Sequence, residues 1–284
     1  QLGFKTAVIE KEFLGGVCLN IGCIPSKAKI TAAHFLHRAQ HDAPVMGINI
    51  KDISVDMKKL LAWKESVCAK MSGGVAQLLK GNTVTTIMGT AEFKSKTEIS
   101  VKSKTGTESI TAKYFILATG SRPIEIPGFP FDEKGIMSST GALALDTIPE
   151  KIVVIGGGYI GLEIAGYISK LGTKVTVIEA TASILNGVVD PECAQVVARK
   201  LNKQGVEVLL NAKAKGQKKS GNGYEVTIEM GGKEQTIKCD KILVTVGRKP
   251  NGDQANLKAA GIQVDERGFV KVDANYRTAA PGVY

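Results

Sequence analysis

The sequence contains no apolar run of the ~18 residues that a membrane-spanning helix requires. Cysteine is scarce as well: there are 5, an odd number, and Cys68, Cys193 and Cys239 lie far apart. Secreted proteins held together by disulfides have dense, paired cysteines, so that class is excluded and a reducing compartment is expected. In such a compartment, a disulfide that persists usually has a catalytic role.

Aromatic residues make up only 5% of the chain, and they are not interleaved with its basic residues. The net charge is +10, but the lysines and arginines are scattered, unlike the basic face of a nucleic-acid-binding protein. One modest cluster, Lys213, Lys215, Lys218 and Lys219, is interpreted as a solvated hairpin because Gly, Ser and Asn surround it. With 284 residues, 43% of them hydrophobic, the chain is long enough for about two domains.

A short stretch of sequence occurs twice. Leu2–Glu10 ("LGFKTAVIE") and Leu171–Glu179 ("LGTKVTVIE") are identical at six of nine positions, at an offset of 169 residues. Each predicts a helix end with a glycine cap, an apolar strand, and a Glu where the strand ends. The chain therefore contains the same βαβ unit twice.

The second copy carries a complete dinucleotide-binding pattern. An apolar strand, Ile152–Ile155, is followed at once by Gly156, Gly158 and Gly161 in the spacing G-x-G-x-x-G, and then by a predicted helix. These glycines permit a tight turn, close approach of a pyrophosphate, and close packing of helix on strand. The N-terminus of the helix presents N–H groups and a positive dipole end to the phosphates.

Glu179 indicates which nucleotide this second copy binds. It follows Gly161 by 18 residues, where a carboxylate can accept hydrogen bonds from a ribose diol. A 2′-phosphate would instead require an arginine after this strand, but the next residues are Ala, Thr, Ala and Ser. We therefore predict NAD rather than NADP.

The first copy is incomplete. At the same offset its glycine loop would fall before residue 1, while its ribose-binding acid remains as Glu10. We expect the chain to be a fragment of a protein with a second dinucleotide site, and we expect this fragment to bind that second nucleotide weakly.

A second similarity supports two related domains. "FILATG" (Phe115–Gly120) and "ILVTVG" (Ile242–Gly247) each end a run of short alternating strands, at 83–116 and 206–246. Each run predicts a three-stranded meander followed by a buried terminal strand. The Pro-rich stretch "SRPIEIPGFP" between the two units is predicted to be a linker.

Two cysteines stand five residues apart in "GGVCLNIGCIPSK", residues 15–27. Pro25 fits the first turn of a helix, so Cys23 is predicted at or just before a helix N-terminus, where a thiol pKa can be lowered. In an ideal helix Cys18 and Cys23 would point roughly 140° apart and exceed the ~7 Å limit for bridging. A disulfide between them needs an irregular backbone before the helix, which the glycines at 15, 16 and 22 allow.

The residues alone leave two interpretations of this pair: structural free thiols, or a redox-active disulfide. A zinc half-site is disfavoured, because zinc sites use shorter Cys spacings and no second ligand pair is present. His34, His37 and His41 occur at helical spacing and could bind a metal, but we interpret them as a solvated helix face, and no metal site is predicted.

Taken together, these motifs resemble the pyridine nucleotide–disulfide oxidoreductases, and most closely the dihydrolipoamide dehydrogenase (E3) branch. "GGVCLNIGCIPSK" is similar to the redox-active disulfide motif of that family. The resemblance covers the whole chain, since further stretches follow in the family's order: "ATGSRP", "GGGYIGLE", "VTVGRKPN", "GIQVDERGFVKVD" and "RTAAPGVY".

The resemblance implies roles for four catalytic residues. Cys18 would be the interchange thiol that attacks lipoamide sulfur, and Cys23 the thiol beside the flavin. Lys27 would lie near the flavin and pair with Glu163. We expect these two charges to be buried, one from each domain, because pairing lowers the cost of burying charge.

The resemblance also implies two cofactors, FAD and NAD. For FAD, Glu10 would bind the adenosine ribose, and the backbone of Ala91 would meet the adenine. Other residues expected to contact FAD are Gly16, Val17, Thr119 and Gly120. Those expected to contact NAD are Gly156, Gly158, Tyr159, Ile160, Gly161, Glu179, Ala214 and Gly247.

The expected fold is α/β, with two Rossmann-like three-layer nucleotide-binding domains, the NAD domain being inserted into the FAD domain. The predicted boundaries are 1–147 for FAD, 148–271 for NAD, and 272–284 for the start of the return to the FAD domain. The family's Gly-Asp motif and its C-terminal interface domain, with a catalytic His–Glu pair, have no counterpart in this sequence.

The implied reaction of the whole protein is oxidation of protein-bound dihydrolipoamide by NAD⁺, while the 284-residue chain itself is expected to be inactive. The implied partners are a second copy of the protein and the E2 component of a 2-oxoacid dehydrogenase complex, with no nucleic acid or membrane. The implied compartment is the bacterial cytoplasm or the mitochondrial matrix. Alternatives are a related disulfide or mercuric reductase, or a non-enzymatic NAD-binding module.

Overall fold

A computed structural model describes residues 2–284, which form two compact units. The terminal unit consists of residues up to Gly15, Met71–Arg122 and Arg248–Tyr284, and the central unit of Gly16–Lys70 and Pro123–Gly247. The chain thus leaves the terminal unit after Arg122, inside the stretch predicted to be a linker.

The helices are α1 (Gly16–Ile21), α2 (Cys23–Val45), α3 (Met57–Gly81), α4 (Ser139–Leu143), α5 (Tyr159–Lys170) and α6 (Pro191–Lys203), with a 3₁₀ turn at Leu257–Ala260. The first strands are β1 (Ala7–Glu10), β2 (Thr85–Met88), β3 (Thr90–Ser95), β4 (Glu98–Ser103), β5 (Gly106–Thr111), β6 (Ser121–Pro123) and β7 (Ile136–Met137). The later strands are β8 (Lys151–Ile155), β9 (Lys174–Ile178), β10 (Glu207–Leu209), β11 (Ala212–Ser220), β12 (Gly223–Met230), β13 (Lys233–Cys239), β14 (Lys241–Val244) and β15 (Arg248–Pro250).

A five-stranded parallel sheet is the centre of the central unit, in the order β10-β9-β8-β14-β7. In β8, Ile152 and Val154 pack into one apolar cluster and Val153 and Ile155 into another. This alternation follows from the two-residue period of a strand, which places successive side chains on opposite faces. The sheet is therefore buried on both faces, as parallel sheets require.

The two faces of the sheet have different covers. Apolar residues of α2 and α5, including Leu36, Leu162 and Ile168, pack on the first face. The antiparallel meander β11-β12-β13 supplies Val226 and Ile228 to the second. The result is a three-layer Rossmann-like arrangement, and it confirms the predicted fold class.

The basic cluster lies on strand β11 of the meander. Lys215 pairs with Glu229 at 2.9 Å and Lys218 with Glu225 at 2.8 Å, both across the β11-β12 hairpin. The solvated-hairpin interpretation is therefore confirmed.

The terminal unit contains the corresponding parts of the first repeat. Strands β1 and β2 pair in parallel, and β3-β4-β5 form the meander predicted within residues 83–116. Its core includes Phe93, Val101 and Val283.

One predicted strand of the terminal unit was wrong. Phe115–Gly120 forms no regular strand, only an isolated parallel bridge from Phe115 to Val283, and Ile116 is 83% exposed. The segment has too few backbone hydrogen bonds to neighbouring segments of the chain for a regular strand. The N–H groups of Phe115 and Leu117 bond to the carbonyls of Gly282 and Tyr284.

The compact units do not follow the predicted domain boundaries at 147 and 271. The helical segment Gly16–Lys70 packs in the same unit as the parallel sheet, and the return to the terminal unit comes at Arg248. The assignment of one nucleotide to each domain remains a prediction, since it concerns binding and not packing.

A lysine is buried in the core of the central unit, on the helix that begins at Cys23. Lys29 is 0% exposed; its Nζ donates to the carbonyl oxygen of Leu145 at 3.0 Å and lies 5.9 Å from the ring centroid of Tyr167. Burial, followed by repulsion from Lys64, lowers its pKa from 10.5 to about 8, against the smaller attraction of Asp146 and Glu65. A charged amine in this position destabilises the fold.

This burial makes stability depend on pH. The pKa of Lys29 is lower in the folded protein than in the unfolded chain, so unfolding takes up a proton between pH 8 and pH 10.5. We expect the free energy of unfolding to rise across this window by ~1–3 kcal/mol, and Lys29→Met to abolish that rise. Denaturant titrations at several pH values measure it, with the exposed Lys70→Met as control. An identical rise in Lys29→Met would contradict the assignment.

Candidate dinucleotide and dithiol sites

The glycine loop joins strand β8 to helix α5 in the central unit. Residue Gly156 follows the strand directly, and Gly158 is the N-cap of α5, which begins at Tyr159. No side chain caps this helix end, so its first N–H groups and positive dipole end are available to an anion. The predicted strand, loop and helix are all present.

The three glycines of the motif have different surroundings. Gly156 has φ +107°, and a Cβ there would lie 2.7 Å from the carbonyl oxygen of Thr245. At Gly161 a Cβ would overlap the Thr245 hydroxyl and the Gly156 carbonyl oxygen. These two are needed for the turn and for helix–strand packing. A Cβ on Gly158 would meet nothing within 4 Å, so the space beside it is open to a ligand, as a pyrophosphate site requires.

Glu179 follows strand β9, and its carboxylate accepts hydrogen bonds from two backbone N–H groups and one hydroxyl. Gly157 N donates to its Oε2 at 2.7 Å, and Thr181 N and Oγ1 donate to its Oε1 at 2.8 Å each. A Cβ on Gly157 would lie 2.9 Å from Oε2, so this position also needs glycine. The sequence analysis did not assign to Gly157 or Thr181 the role of holding Glu179, although the unbroken run of three glycines was a visible signal.

The other residues expected to contact NAD all lie in the central unit. Tyr159 is 59% exposed and Ile160 follows it in the first turn of α5. Ala214 is partly buried and precedes an irregularity in the pairing of β11 with β12. Gly247 has φ +135°, and its carbonyl oxygen accepts a hydrogen bond from the N–H of Ile124 at 3.1 Å. Their contact with a nucleotide remains a prediction.

Cys18 and Cys23 meet at a break between two helices. Cys18 lies in α1, and α2 begins at Cys23. Between them Gly22 has φ −137° and ψ −114°, and a Cβ on it would lie 2.8 Å from the carbonyl oxygen of Val17. This irregular backbone brings the two side chains within hydrogen-bond contact, which one continuous helix could not do.

Both cysteines are exposed free thiols in this structure. The pKa of the Cys23 thiol is raised, chiefly by its hydrogen bond with Cys18 and then by burial, while the charge of Lys27 acts in the opposite direction. The expectation of a lowered pKa was therefore wrong for this dithiol state. The neighbouring thiol outweighs the favourable position at the helix N-terminus.

An ion pair lies next to the dithiol. Lys27 Nζ is 2.7 Å from both carboxylate oxygens of Glu163, and the hydroxyl of Ser26 donates to the Cys23 carbonyl at 3.0 Å and approaches Glu163 at 3.3 Å. The predicted pairing is thus present. The expectation that the pair is buried was wrong, because the side chains are 58% and 37% exposed. Both residues lie in the central unit, and their assignment to two different nucleotide-binding domains remains a prediction.

The residues expected to contact FAD fall in both units. In the terminal unit, Glu10 ends β1 and accepts the N–H of Glu12 at 2.8 Å, and Ala91 lies in β3. Gly120 has φ +69° with nothing within 4 Å of a Cβ, so its open face is compatible with a ligand. In the central unit, Gly16 and Val17 begin α1.

Asn251 holds the loop of Thr119 and Gly120, a contact that the sequence did not reveal. Its Nδ2 donates to the carbonyl of Thr119 at 2.8 Å, and its N–H donates to that of Gly120 at 3.0 Å. Arg122 in turn donates to the Asn251 side chain and pairs with Asp253, which lowers the pKa of that carboxyl to about 2.

Within residues 2–284 there is no group of three or more His, Cys, Asp or Glu side chains that could hold a metal. His37 and His41 contact each other through Nδ1 at 2.9 Å on the exposed surface of α2, and His34 contacts Lys170. No helix in the described part of the chain has both the length and the apolarity to cross a membrane.

The family model described as pyridine nucleotide-disulphide oxidoreductase matches residues 1–284. The chain belongs to this family. The dihydrolipoyl dehydrogenases of Geobacillus stearothermophilus and Bacillus subtilis are 45% and 46% identical to it over its whole length. The chain spans 60% of the length of each of these relatives.

Solved structures of the family have the same fold. LpdA from Mycobacterium tuberculosis matches 99% of the chain with a TM-score of 0.88 at 26% identity, and the match covers 61% of LpdA. The HOCl-induced flavoprotein disulfide reductase RclA from Escherichia coli matches 99% with a TM-score of 0.83 at 28% identity, over 60% of its own chain.

The contrast between two loop glycines gives a first test of the dinucleotide site. Gly158→Ala adds a methyl where the structure is open, so we expect an unchanged melting temperature but NADH binding weakened about tenfold or more. Gly161→Ala adds the same methyl where it overlaps packed atoms, so we expect a stability loss of ~1–3 kcal/mol. Thermal unfolding and NADH titration measure both. Equal effects of the two variants on stability would contradict the assignment.

The dithiol gives a second test, with two variants that act in opposite directions. Cys18→Ala should lower the pKa of the Cys23 thiol, because it removes the hydrogen bond that raises it most. Lys27→Met should raise that pKa further, because it removes a stabilising positive charge. The pH dependence of Cys23 alkylation in the reduced protein, followed by peptide mass, measures both shifts.

The control for this test is Lys70→Met, which removes an exposed charge outside the site. A Cys18→Ala variant with the same alkylation profile as the unaltered protein would show that the two thiols are not in contact.

Proposed function

We propose that the whole protein is a flavin-dependent disulfide oxidoreductase that oxidises protein-bound dihydrolipoamide with NAD⁺ through Cys18 and Cys23. The observation that carries this proposal is the contact of two exposed thiols at a helix break, beside the Lys27–Glu163 ion pair. The family and the names of the 45–46% identical relatives support the choice of substrate.

The thiol chemistry balances as two exchanges. A thiolate of dihydrolipoamide attacks the sulfur of Cys18 in the oxidised pair, the Cys18–Cys23 bond breaks, and the thiolate of Cys23 leaves. The second thiol of the substrate then attacks the mixed disulfide, so that lipoamide is released and Cys18 becomes a thiol. The net result is transfer of two electrons and two protons from the substrate to the cysteine pair.

The pair is reoxidised at the expense of NAD⁺, which accepts a hydride while one proton is released. When bound, FAD supplies a ring system that can take an electron pair from a thiol and deliver a hydride to nicotinamide. The charge of Lys27 favours the thiolate form of Cys23, and the carboxylate of Glu163 fixes the position of that charge.

Residues of the chain would hold the two nucleotides as follows. In the central unit, the open space at Gly158, the N-terminus of α5 and the fixed carboxylate of Glu179 would bind NAD. Further NAD contacts would come from Tyr159, Ile160, Ala214 and Gly247. FAD would be held by Glu10, Gly16, Val17, Ala91, Thr119 and Gly120.

The partners of the whole protein follow from the same proposal. As the family resemblance implies, the whole protein would be a homodimer that acts on lipoamide carried by an E2 component. The name of the relatives, dihydrolipoyl dehydrogenase, supports the dihydrolipoyl group as the substrate. Five free thiols fit a reducing compartment, such as the bacterial cytoplasm or a mitochondrial matrix.

The reaction is tested with purified holoprotein, dihydrolipoamide and NAD⁺, by following NADH absorbance. We expect NADH to form, and Cys18→Ser or Cys23→Ser to reduce the rate about 10³-fold or more, because each removes one half of the exchanging pair. Cys193→Ser removes an exposed free thiol of α6 and is the matched control. Activity only with glutathione disulfide and NADPH would contradict the proposal and favour a different disulfide reductase.

A further inference from the structure

Thr181 has one hydroxyl proton and two acceptors. Its Oγ1 lies 2.8 Å from Oε1 of Glu179 and 2.8 Å from the carbonyl oxygen of Ser183. Since a hydroxyl carries a single hydrogen, it can make only one full hydrogen bond as donor. The charged carboxylate is the stronger acceptor, so it receives this proton when no ligand is present.

The backbone around this hydroxyl is fixed. The carbonyl of Thr181 accepts the N–H of Asn211 at 2.9 Å, and that of Glu179 accepts the N–H of Ala212 at 2.9 Å. The N–H of Thr181 is bonded to the Glu179 side chain. The main freedom left at Thr181 is rotation of its O–H bond between the two acceptors.

The carboxylate of Glu179 has too few acceptor positions for a ribose diol in this state. Its two oxygens offer about four lone-pair positions, and three are taken by Gly157 N–H, Thr181 N–H and Thr181 O–H. A diol brings two donors to the one position that remains. Binding both hydroxyls therefore requires the hydroxyl of Thr181 to turn away.

We propose that Thr181 is a second ribose-binding residue of this site, whose hydroxyl proton turns from Glu179 to the Ser183 carbonyl when nucleotide binds. The turn releases a lone pair on Oε1 and converts Thr181 from a donor into an acceptor. The two residues then present acceptors alone, which suit the two donors of a diol. A 2′-phosphate, which offers mainly acceptors and negative charge, is repelled by the carboxylate of Glu179. This inference rests on the proposed NAD site.

The test compares NADH dissociation constants, measured by fluorescence titration of the protein, for Thr181→Val and Thr181→Ser. The valine is close in shape and lacks the hydroxyl, so we expect binding ~3–10-fold weaker, as for the loss of one hydrogen bond. The serine keeps the hydroxyl, and we expect it to stay within about twofold. Thr176→Val, which removes a hydroxyl of β9 that donates to Glu207 of β10, is the matched control and should change nothing.

A second measurement separates ribose binding from a merely structural role. ADP-ribose and its forms lacking the 2′- or the 3′-hydroxyl of the adenosine ribose are titrated against the unaltered protein and Thr181→Val. If Thr181 accepts one of these hydroxyls, the penalty of the valine disappears for the analogue that lacks it. An equal penalty for all three compounds would show that Thr181 only orients Glu179, and would overturn the inference.

The remaining outcomes are also distinct. Unchanged or tighter NADH binding by Thr181→Val, with normal binding by the unaltered protein, would overturn the role of Thr181 and leave the NAD site standing. Failure of the unaltered protein to bind NADH would overturn the NAD site itself, and with it this inference.

Discussion

The contact between the two thiols depends on the backbone at Gly22. A continuous helix through residues 16–45 would turn Cys18 and Cys23 to different sides. The chain instead ends α1 at Ile21 and restarts at Cys23, through a conformation in which the Cβ of any other residue would press on the Val17 carbonyl. The same restart places Lys27 one turn along α2, where it meets Glu163 from α5. One glycine thus sets the geometry of both the dithiol and its neighbouring ion pair.

The central unit joins this geometry to a nucleotide loop through shared packing. Helix α5 carries Gly158 at its N-cap and Glu163 in its second turn, while α2 carries Cys23 and Lys27. Both helices pack on the same face of the parallel sheet through residues such as Leu36 and Ile168. The positions of the thiols and the glycine loop are therefore fixed by one core, and a change in that core would move both.

The sequence predicted those parts of the molecule that local chemistry determines. The apolar pattern located β8, β9 and β14 of the parallel sheet, though not β7 or β10, and the glycine spacing located the loop and the start of α5. Contacts made by long-range folding were not predictable: Asn251 reaches Thr119 across 132 positions, and Gly157 reaches Glu179 across 22. The exposure of Lys27 and Glu163 also could not be predicted from a motif. A motif indicates which residues pair, but the solvent exposure of the pair depends on residues elsewhere in the fold. The same holds for the segment Gly16–Lys70, whose packing partner depends on apolar faces that meet only in the folded chain.

The raised pKa of Cys23 belongs to one redox state of the pair. It arises mainly from the hydrogen bond with Cys18. This hydrogen bond requires at least one of the two sulfurs to carry a proton. Two thiols in contact lose their protons in coupled steps that belong to the pair. The hydrogen bond and the charge of Cys18 both favour the protonated form of Cys23, while the charge of Lys27 favours its thiolate. A Cys23 thiolate beside an ionised Cys18 would place two negative sulfurs side by side, which is unfavourable. Oxidation of the pair to a disulfide removes both thiol protons, so the raised pKa has no counterpart in the oxidised state.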